Sequence, residues 1–165
     1  MDSKIKSREE IKKIVADLRK ENPKIVIVTT NGAFDILHAG HAKSMELAKS
    51  FGNVLIVGLN SDSSIQQYKS KDRPIIPQKY RAQMLAALAA VDYVTIFDET
   101  TSIEFVKSIK PNIHVKSKNG FTGVENDAVI MGGGRMELIE DTPGISTTQI
   151  INKIKILLEK ENKIS

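Results

Sequence analysis

Two closely spaced histidines are the residues of this sequence best suited to chemistry. His38 and His41 are three positions apart with Gly40 between them, so both imidazoles can face the same side of a loop that runs into a helix. Imidazole N–H groups are hydrogen-bond donors that can stabilise charge building up on a phosphoryl oxygen. A lone histidine here is typical of an exposed turn, but two of them directly after a Gly-x-Phe-Asp turn favour a phosphate-directed function.

The elements that must position the histidines have the order strand, loop and helix. The apolar run Ile25–Val28 predicts a buried strand that stops at Asn31-Gly32, and a helix is predicted from about Ala42 to Ser50. Unpaired backbone N–H groups and the positive end of the helix dipole then converge on the loop. A helix N-terminus of this kind is suited to bind an anion such as phosphate.

A second helix N-terminus suited to bind an anion is predicted at the start of the last helix. Ser146-x-x-Gln149 is a capping box, and the residues after it are apolar at helical spacing. The serine oxygen can therefore cap the helix while its neighbours contact a phosphate. Both segments are predicted to follow strands, so their N–H groups are expected at one edge of the sheet.

Five β-like runs alternate with helices, which predicts an α/β fold with a single Rossmann-like, doubly wound, mainly parallel five-stranded sheet. One domain is expected over residues 1–165, with an N-terminal helix in 1–22, the Rossmann-like core in 24–140 and a C-terminal helix in 144–160. Ligands of such sheets bind outside the carboxyl ends of the strands. Asp62, which follows the second strand there, can face a ligand or serve as an ordinary turn or cap residue.

Three further patterns make local predictions. The helix after Pro77 places Arg81 off its apolar stripe, which alone would make Arg81 a surface charge. Thr101-x-x-Glu104 is a capping box for the next helix. His114, inside a short fourth strand, is predicted to be structural. The stripe after Pro77 consists of Tyr80, Met84, Leu85 and Leu88.

Composition limits the function classes. With 165 residues and 41% apolar content, the chain can form one domain with a real core. The net charge of +4 comes from 24 basic residues interspersed with 20 acidic ones, and aromatics make up 5%, which argues against nucleic acid and suits small polyanions. No apolar run approaches the roughly 18 residues of a membrane span. The absence of cysteine fits a cytoplasmic location.

The stretch Gly32-x-Phe34-Asp35-x-Leu37-His38-x-Gly40-His41 resembles the HxGH signature of the cytidylyltransferase-like nucleotidyltransferases. The fuller string 31–41, together with Gly-Ile-Ser-Thr-Thr at 144–148, looks most like the adenylyltransferase domains of the bacterial enzymes of ADP-heptose synthesis. This resemblance implies the nucleotidyltransferase fold and the transfer of AMP from ATP to a sugar phosphate such as a heptose 1-phosphate, with release of pyrophosphate. It also implies Mg²⁺ bound with the nucleotide, a homodimer, and a separate kinase that supplies the acceptor.

The resemblance assigns roles to individual residues. Predicted catalytic residues are His38, His41 and Lys43. Predicted nucleotide-binding residues are Asn31, Gly32, Ala33, Phe34, Asp35, Gly40, Arg81, Ser146 and Thr147. Predicted acceptor-binding residues are Asp62 and Lys116, and no residue is predicted to be a metal ligand.

Two observations bear on the substrates. The stretch 116–120 keeps only the lysine of the Lys-Gly-Gly-Asp-Tyr stretch usual in heptose adenylyltransferases, which leaves the acceptor open. Asp141 stands where cytidylyltransferases acting on glycerol 3-phosphate usually have an arginine, so ATP is favoured over CTP. A cytidylyltransferase using CTP and a phosphorylated alcohol is the alternative. A non-catalytic nucleotide-binding module is a third reading, which the presence of both histidines disfavours.

Overall fold

The computed structural model describes residues 2–119 and 121–162; Gly120, the last residue of the 116–120 stretch, and the terminal residues 1 and 163–165 lie outside the described part. The strands are β1 (Ile27–Gly32), β2 (Val54–Asn60), β3 (Tyr93–Phe97), β4 (Ile113–Ser117) and β5 (Arg135–Ile139). They form one sheet in the order β3-β2-β1-β4-β5, and every adjacent pair is parallel. The predicted five-stranded α/β architecture is confirmed.

Helices cover both faces of the sheet. They are α1 (Arg8–Glu21), α2 (Ala39–Ser50), α3 (Asp62–Tyr68), α4 (Gln78–Ala87), α5 (Ile103–Ile109), α6 (Asn126–Met131) and α7 (Thr147–Glu161). Helix α2 begins three residues before the predicted Ala42, because His38 takes the N-cap position. Within the described residues, none of the helices is both long and apolar enough to cross a membrane.

The central strands of the sheet are buried on both faces, and the uninterrupted apolar run of β2 is typical of such a strand, whereas the edge strand β5 is partly exposed. Successive residues of a strand point to opposite faces. Val28 of β1 therefore packs in a cluster with residues of α2 and α4, whereas its neighbour Ile27 packs in a cluster with residues of α1 and α5. Gly58 lies in the centre of β2 because a Cβ there would come within 2.8 Å of the Phe105 ring.

The predicted apolar stripe of α4 was wrong in two of its positions. Tyr80 is 55% exposed and Met84 is 52% exposed, whereas Arg81 is 2% exposed. The buried face of this helix is made largely of small residues, so its apolar period is weak in the sequence. That face consists of Arg81, Ala82, Leu85 and Ala86.

The capping box predicted at Thr101-x-x-Glu104 is also absent. Helix α5 begins at Ile103 with Ser102 as its N-cap residue, and no side chain caps it. The Ser102 hydroxyl instead donates a hydrogen bond of 2.9 Å to Glu125, a residue far away in sequence. A tertiary contact has replaced the local one that the spacing predicted.

Candidate active site

The two histidines of the HxGH stretch lie stacked against each other. The ring centroids of His38 and His41 are 3.9 Å apart, and the two planes differ by 20°. Phe34 meets the His41 ring edge-on at 5.4 Å. A Cβ at Gly40 would lie 3.0 Å from the His38 ring, so a glycine at this position is what allows the ring to fold back over the start of α2.

Both imidazoles are neutral at physiological pH. Burial, followed by the positive charge that His38 can carry, lowers the pKa of His41 to about 4. Burial also lowers the pKa of His38 below its ordinary value. The Nδ1 atoms of both rings are buried and have no hydrogen-bond partner among the described residues. Each ring is therefore a neutral group with unused hydrogen-bonding capacity, and its N–H can serve a ligand.

The histidines and the start of the last helix line the same cleft. This cleft has a volume of about 520 Å³ and is bounded by His38, Gly40 and His41 on one side and by residues 141–149 on the other. Ser146 is the N-cap residue of α7, and its oxygen accepts a hydrogen bond of 3.2 Å from the Gln149 N–H. The N-termini of α2 and α7 thus border one cavity, which suits an anion with several phosphate groups.

The Asp35 carboxylate is occupied by the protein itself. It is 3% exposed and accepts hydrogen bonds of 2.9 Å from the N–H groups of Ile75 and Ile76. Arg73 pairs with it at 2.8 Å. The carbonyl oxygen of Asp35 accepts a 2.8 Å hydrogen bond from the Thr147 hydroxyl. Asp35 and the Thr147 side chain therefore connect the β1–α2 loop to residues 73–76 and to α7 through hydrogen bonds and an ion pair.

Arg81 lies under the same loop. Its Nε donates to the Ile76 carbonyl at 2.8 Å and its Nη1 donates to the Ala33 carbonyl. Its Nη2 donates to the Asn60 carbonyl at 3.0 Å and to the Asp62 carboxylate at 2.7 Å. Four of the five guanidinium N–H groups are thus satisfied by protein oxygens. In this structure Arg81 supports the loop from below, and its predicted contact with a nucleotide phosphate stays a prediction.

Three other predicted residues, Asp62, Lys43 and Lys116, do not line the cleft. Asp62 is held by Arg81 and by the Gln78 N–H at 2.8 Å. Lys43 is exposed on α2, outside the residues that line the cleft. Lys116 lies on the opposite side of β1, where its Nζ is 3.1 Å from the oxygen of Asn31 and 3.1 Å from Glu125. Sequence reasoning missed Glu125, because a lone glutamate in a polar segment gives no signal of burial.

The fold and the site together define a class: a Rossmann-like α/β protein whose sheet edge carries a cleft bordered by two helix N-termini and two neutral imidazoles. The sequence model of the cytidylyltransferase-like family matches residues 29–153. This range includes both signature segments. The chain belongs to the cytidylyltransferase-like family.

Individual proteins with similar sequences are more informative than the family model alone. The chain is 43% identical over 155 residues to the bifunctional protein HldE of Syntrophotalea carbinolica and 45% identical over 157 residues to HldE of Campylobacter jejuni. In both cases 93% of this chain is aligned, but it spans only 31% and 32% of the relatives' length. A solved structure, the lipopolysaccharide core biosynthesis protein of Thermoplasma volcanium, shares the fold with a TM-score of 0.60 and 24% identity, over 72% of this chain and 97% of its own.

Replacing Arg81 by lysine should destabilise the protein. A lysine ammonium cannot reach four oxygens that the planar guanidinium contacts together, so buried carbonyl groups and Asp62 lose their donors. We expect the free energy of unfolding in urea to fall by about 2 to 4 kcal/mol. Arg135→Lys is the matched control, because Arg135 is exposed and its nearest carboxylate is 3.7 Å away. Equal stability of the Arg81 variant and the wild type would contradict the supporting role.

The depressed pKa of His41 should make stability depend on pH. Between about pH 6.5 and about pH 4 an unfolded chain protonates this histidine, while the folded protein keeps it neutral. The unfolded state then binds more protons, so the free energy of unfolding falls as the pH is lowered through this window. The contribution of the neutral His41 to stability is complete above about pH 6.5. His114, with its pKa lowered to about 3, acts in the same direction.

Urea unfolding of wild type and His41→Gln across that window measures this contribution. The variant should show a shallower loss of stability towards acid than the wild type. Lys43→Gln, which removes a charge on the same helix but no histidine, should keep the wild-type slope. Identical slopes for wild type and His41→Gln would show that His41 is not held neutral by the fold.

Proposed function

We propose that this protein transfers AMP from ATP to the phosphate group of a sugar phosphate, such as a heptose 1-phosphate, and releases pyrophosphate. The observation that carries this proposal is the shared cleft, in which a stacked pair of neutral imidazoles at the N-terminus of α2 lies across from the N-terminus of α7. Similarity to HldE over 93% of the chain supports it. The chain spans only 31% of that relative's length, so the proposal concerns a single activity.

The chemistry of the acceptor explains how such a site can work without a general base. A phosphate monoester has a second pKa of about 6, so it is already mostly dianionic at neutral pH. One of its oxygens forms the new bond to the α-phosphorus of ATP, and the bond from that phosphorus to the oxygen bridging to the β-phosphate breaks. The leaving group is pyrophosphate. Catalysis then consists of positioning and of stabilising the charge that develops on the α-phosphoryl oxygens.

His38 and His41 are the donors for that charge. A neutral imidazole donates from one nitrogen, and both rings line the cleft. The β- and γ-phosphates fit the first turn of α7, where backbone N–H groups after Ser146 have no acceptor within the helix. Lys43 on α2 adds a mobile positive charge that can reach the triphosphate from outside the cleft.

Magnesium fits this site as a companion of the nucleotide. Groups of three or more metal-ligating side chains are not found in the described residues. Mg²⁺ usually takes one or two carboxylates together with substrate phosphates, and Asp141 is the carboxylate that lines the cleft. When bound, the ion would neutralise charge on the triphosphate. Mg²⁺ dependence and assembly into a homodimer stay predictions.

Pyrophosphate release tests the proposed function directly. The protein is assayed with ATP or CTP, each combined with D-glycero-β-D-manno-heptose 1-phosphate or glycerol 3-phosphate. We expect turnover with ATP and the heptose 1-phosphate. Turnover confined to CTP and glycerol 3-phosphate would favour the cytidylyltransferase alternative. Nucleotide binding without turnover in any combination would favour a non-catalytic module.

His41→Ala should lower kcat by about 10²- to 10³-fold, the effect of losing one transition-state donor. The KM for ATP should change little, because the helix N-termini that hold the triphosphate remain. Steady-state pyrophosphate release measures both values, and circular dichroism verifies the fold. Gln83→Ala, on the distant surface of α4, is the control and should leave kcat unchanged. An unaltered rate in His41→Ala would remove His41 from the mechanism.

A further inference from the structure

A second cavity opens at the same edge of the sheet, on the side of β1 away from the histidine cleft. Its volume is about 380 Å³, and its walls come from the ends of β1, β2 and β4 and from segments 100–102 and 122–125. Its polar walls include Asn31, Asn60, Tyr68, Lys116 and Glu125. Glu125 has no role in the chemical step of the proposed transfer of AMP.

Glu125 is a buried carboxylate with one satisfied and one unsatisfied oxygen. The residue is 3% exposed. Its Oε1 accepts hydrogen bonds from the Ser102 hydroxyl at 2.9 Å and from the Lys116 ammonium at 3.1 Å. Its Oε2 is buried without a hydrogen-bond partner among the described residues. Although Glu125 is the N-cap residue of α6, its side chain does not cap the helix.

This carboxylate is ionised. Burial alone would raise the pKa of Glu125, but the Lys116 ammonium and hydrogen bonds from the backbone and Ser102 hold it below the ordinary value. An anionic oxygen that is buried without a donor is costly. Because Glu125 lines the cavity, a ligand that enters the cavity can supply the donor.

Asn31 contributes the complementary group. Its Oδ1 accepts a hydrogen bond from Lys116 at 3.1 Å and lies 3.2 Å from Nε2 of His114. Because an amide oxygen only accepts, His114 carries its proton on Nε2, and its Nδ1 accepts from the Thr29 hydroxyl at 2.7 Å. Asn31 is thereby fixed in one orientation. Its amide nitrogen has no protein acceptor within the described residues and remains available to a ligand.

The charges in the cavity decide what kind of ligand it suits. Lys116 and Glu125 form an ion pair, so the wall is close to neutral overall. A neutral wall with one strong acceptor and one amide donor suits a hydroxyl-bearing group better than a second phosphate. Hydroxyl groups both donate and accept, and can therefore satisfy Glu125 and Asn31 together.

We propose that this cavity binds the polyhydroxylated body of the acceptor, with Glu125 Oε2 accepting a hydrogen bond from a sugar hydroxyl and the Asn31 amide donating to another sugar oxygen. The inference rests on the proposed function and specifies its second substrate. The acceptor phosphate then extends past Gly32 towards the histidines. A Cβ at Gly32 would lie 3.2 Å from the Phe34 ring, which itself packs against His41.

This arrangement gives Lys116 a different role from direct phosphate binding. Its ammonium group holds both Glu125 and Asn31, so it is a positioning residue for the two groups that contact the sugar. It also gives the site a basis for selectivity. A pocket built to hydrogen-bond a hydroxyl rejects analogues that lack it, because its buried polar group is left unpaired.

Glu125→Gln and Glu125→Leu test the proposal. Glutamine keeps an acceptor for Ser102 but replaces the anionic Oε2 by an amide nitrogen, and leucine removes both oxygens. We expect the KM for D-glycero-β-D-manno-heptose 1-phosphate to rise about 10-fold in the glutamine variant and about 100-fold in the leucine variant. The KM for ATP should not change. Glu104→Gln, an exposed glutamate of α5, is the matched control and should behave as the wild type.

Equilibrium binding separates this proposal from the proposed function. Calorimetry measures the Kd of the heptose 1-phosphate in the presence of α,β-methylene ATP, which cannot release pyrophosphate. Weaker binding in Glu125→Gln by about 10-fold supports the cavity even if the wild type shows no turnover, and in that case only the proposed function fails. Unchanged acceptor KM and Kd in a folded Glu125→Gln variant would overturn the cavity assignment while leaving nucleotide transfer intact. Thermal melting verifies folding of each variant.

Discussion

Two buried charges of opposite sign hold the loop between β1 and α2, and the candidate site depends on that loop. The Asp35 carboxylate accepts hydrogen bonds from the backbone N–H groups of residues 75–76, and the Arg81 guanidinium donates to the Ala33 carbonyl of the loop. Phe34 and Ile36 have positive φ angles of 47° and 50°, which are unfavourable for residues with a Cβ. A conformation of this kind persists only where surrounding contacts determine it, and it is concentrated at functional sites.

The fixed loop holds His38 and His41 in a stacked arrangement that is compatible with neutral rings. Stacked imidazolium ions 3.9 Å apart would repel each other, and burial adds to the cost of charging them. The pair is therefore neutral in the free protein, and each ring offers one N–H donor without bringing a charge that must be desolvated. A bound anion would raise the pKa of both rings, because a nearby negative charge favours the protonated form.

Much of this fold could be predicted from local signals, and the remainder depends on contacts between distant residues. Ser7 and Glu10 form a capping box at the start of α1, and such a motif is visible in the sequence because both partners lie within one turn. Helix α3 was missed, because its segment is polar and its main signal is the Ser61 cap. The burial of Arg81 and of Glu125 was invisible in the sequence, since each is stabilised by oxygens or donors from other elements. Only the family resemblance pointed to Arg81.

The two-residue period of β1 accounts for the division of the site. Thr29 and Asn31 point to the face that carries α5 and α6, where they meet His114 and the cavity of Glu125. Val28, which has the opposite parity, points to the face that carries α2, and the loop after β1 brings His38 and His41 to that side. The end of one strand therefore separates a cavity bordered by helix N-termini from a cavity lined by an ion pair and amide groups. A nucleotide and a phosphorylated sugar bound on these two sides would meet at Gly32, where the absence of a side chain leaves room for the phosphate groups to approach each other.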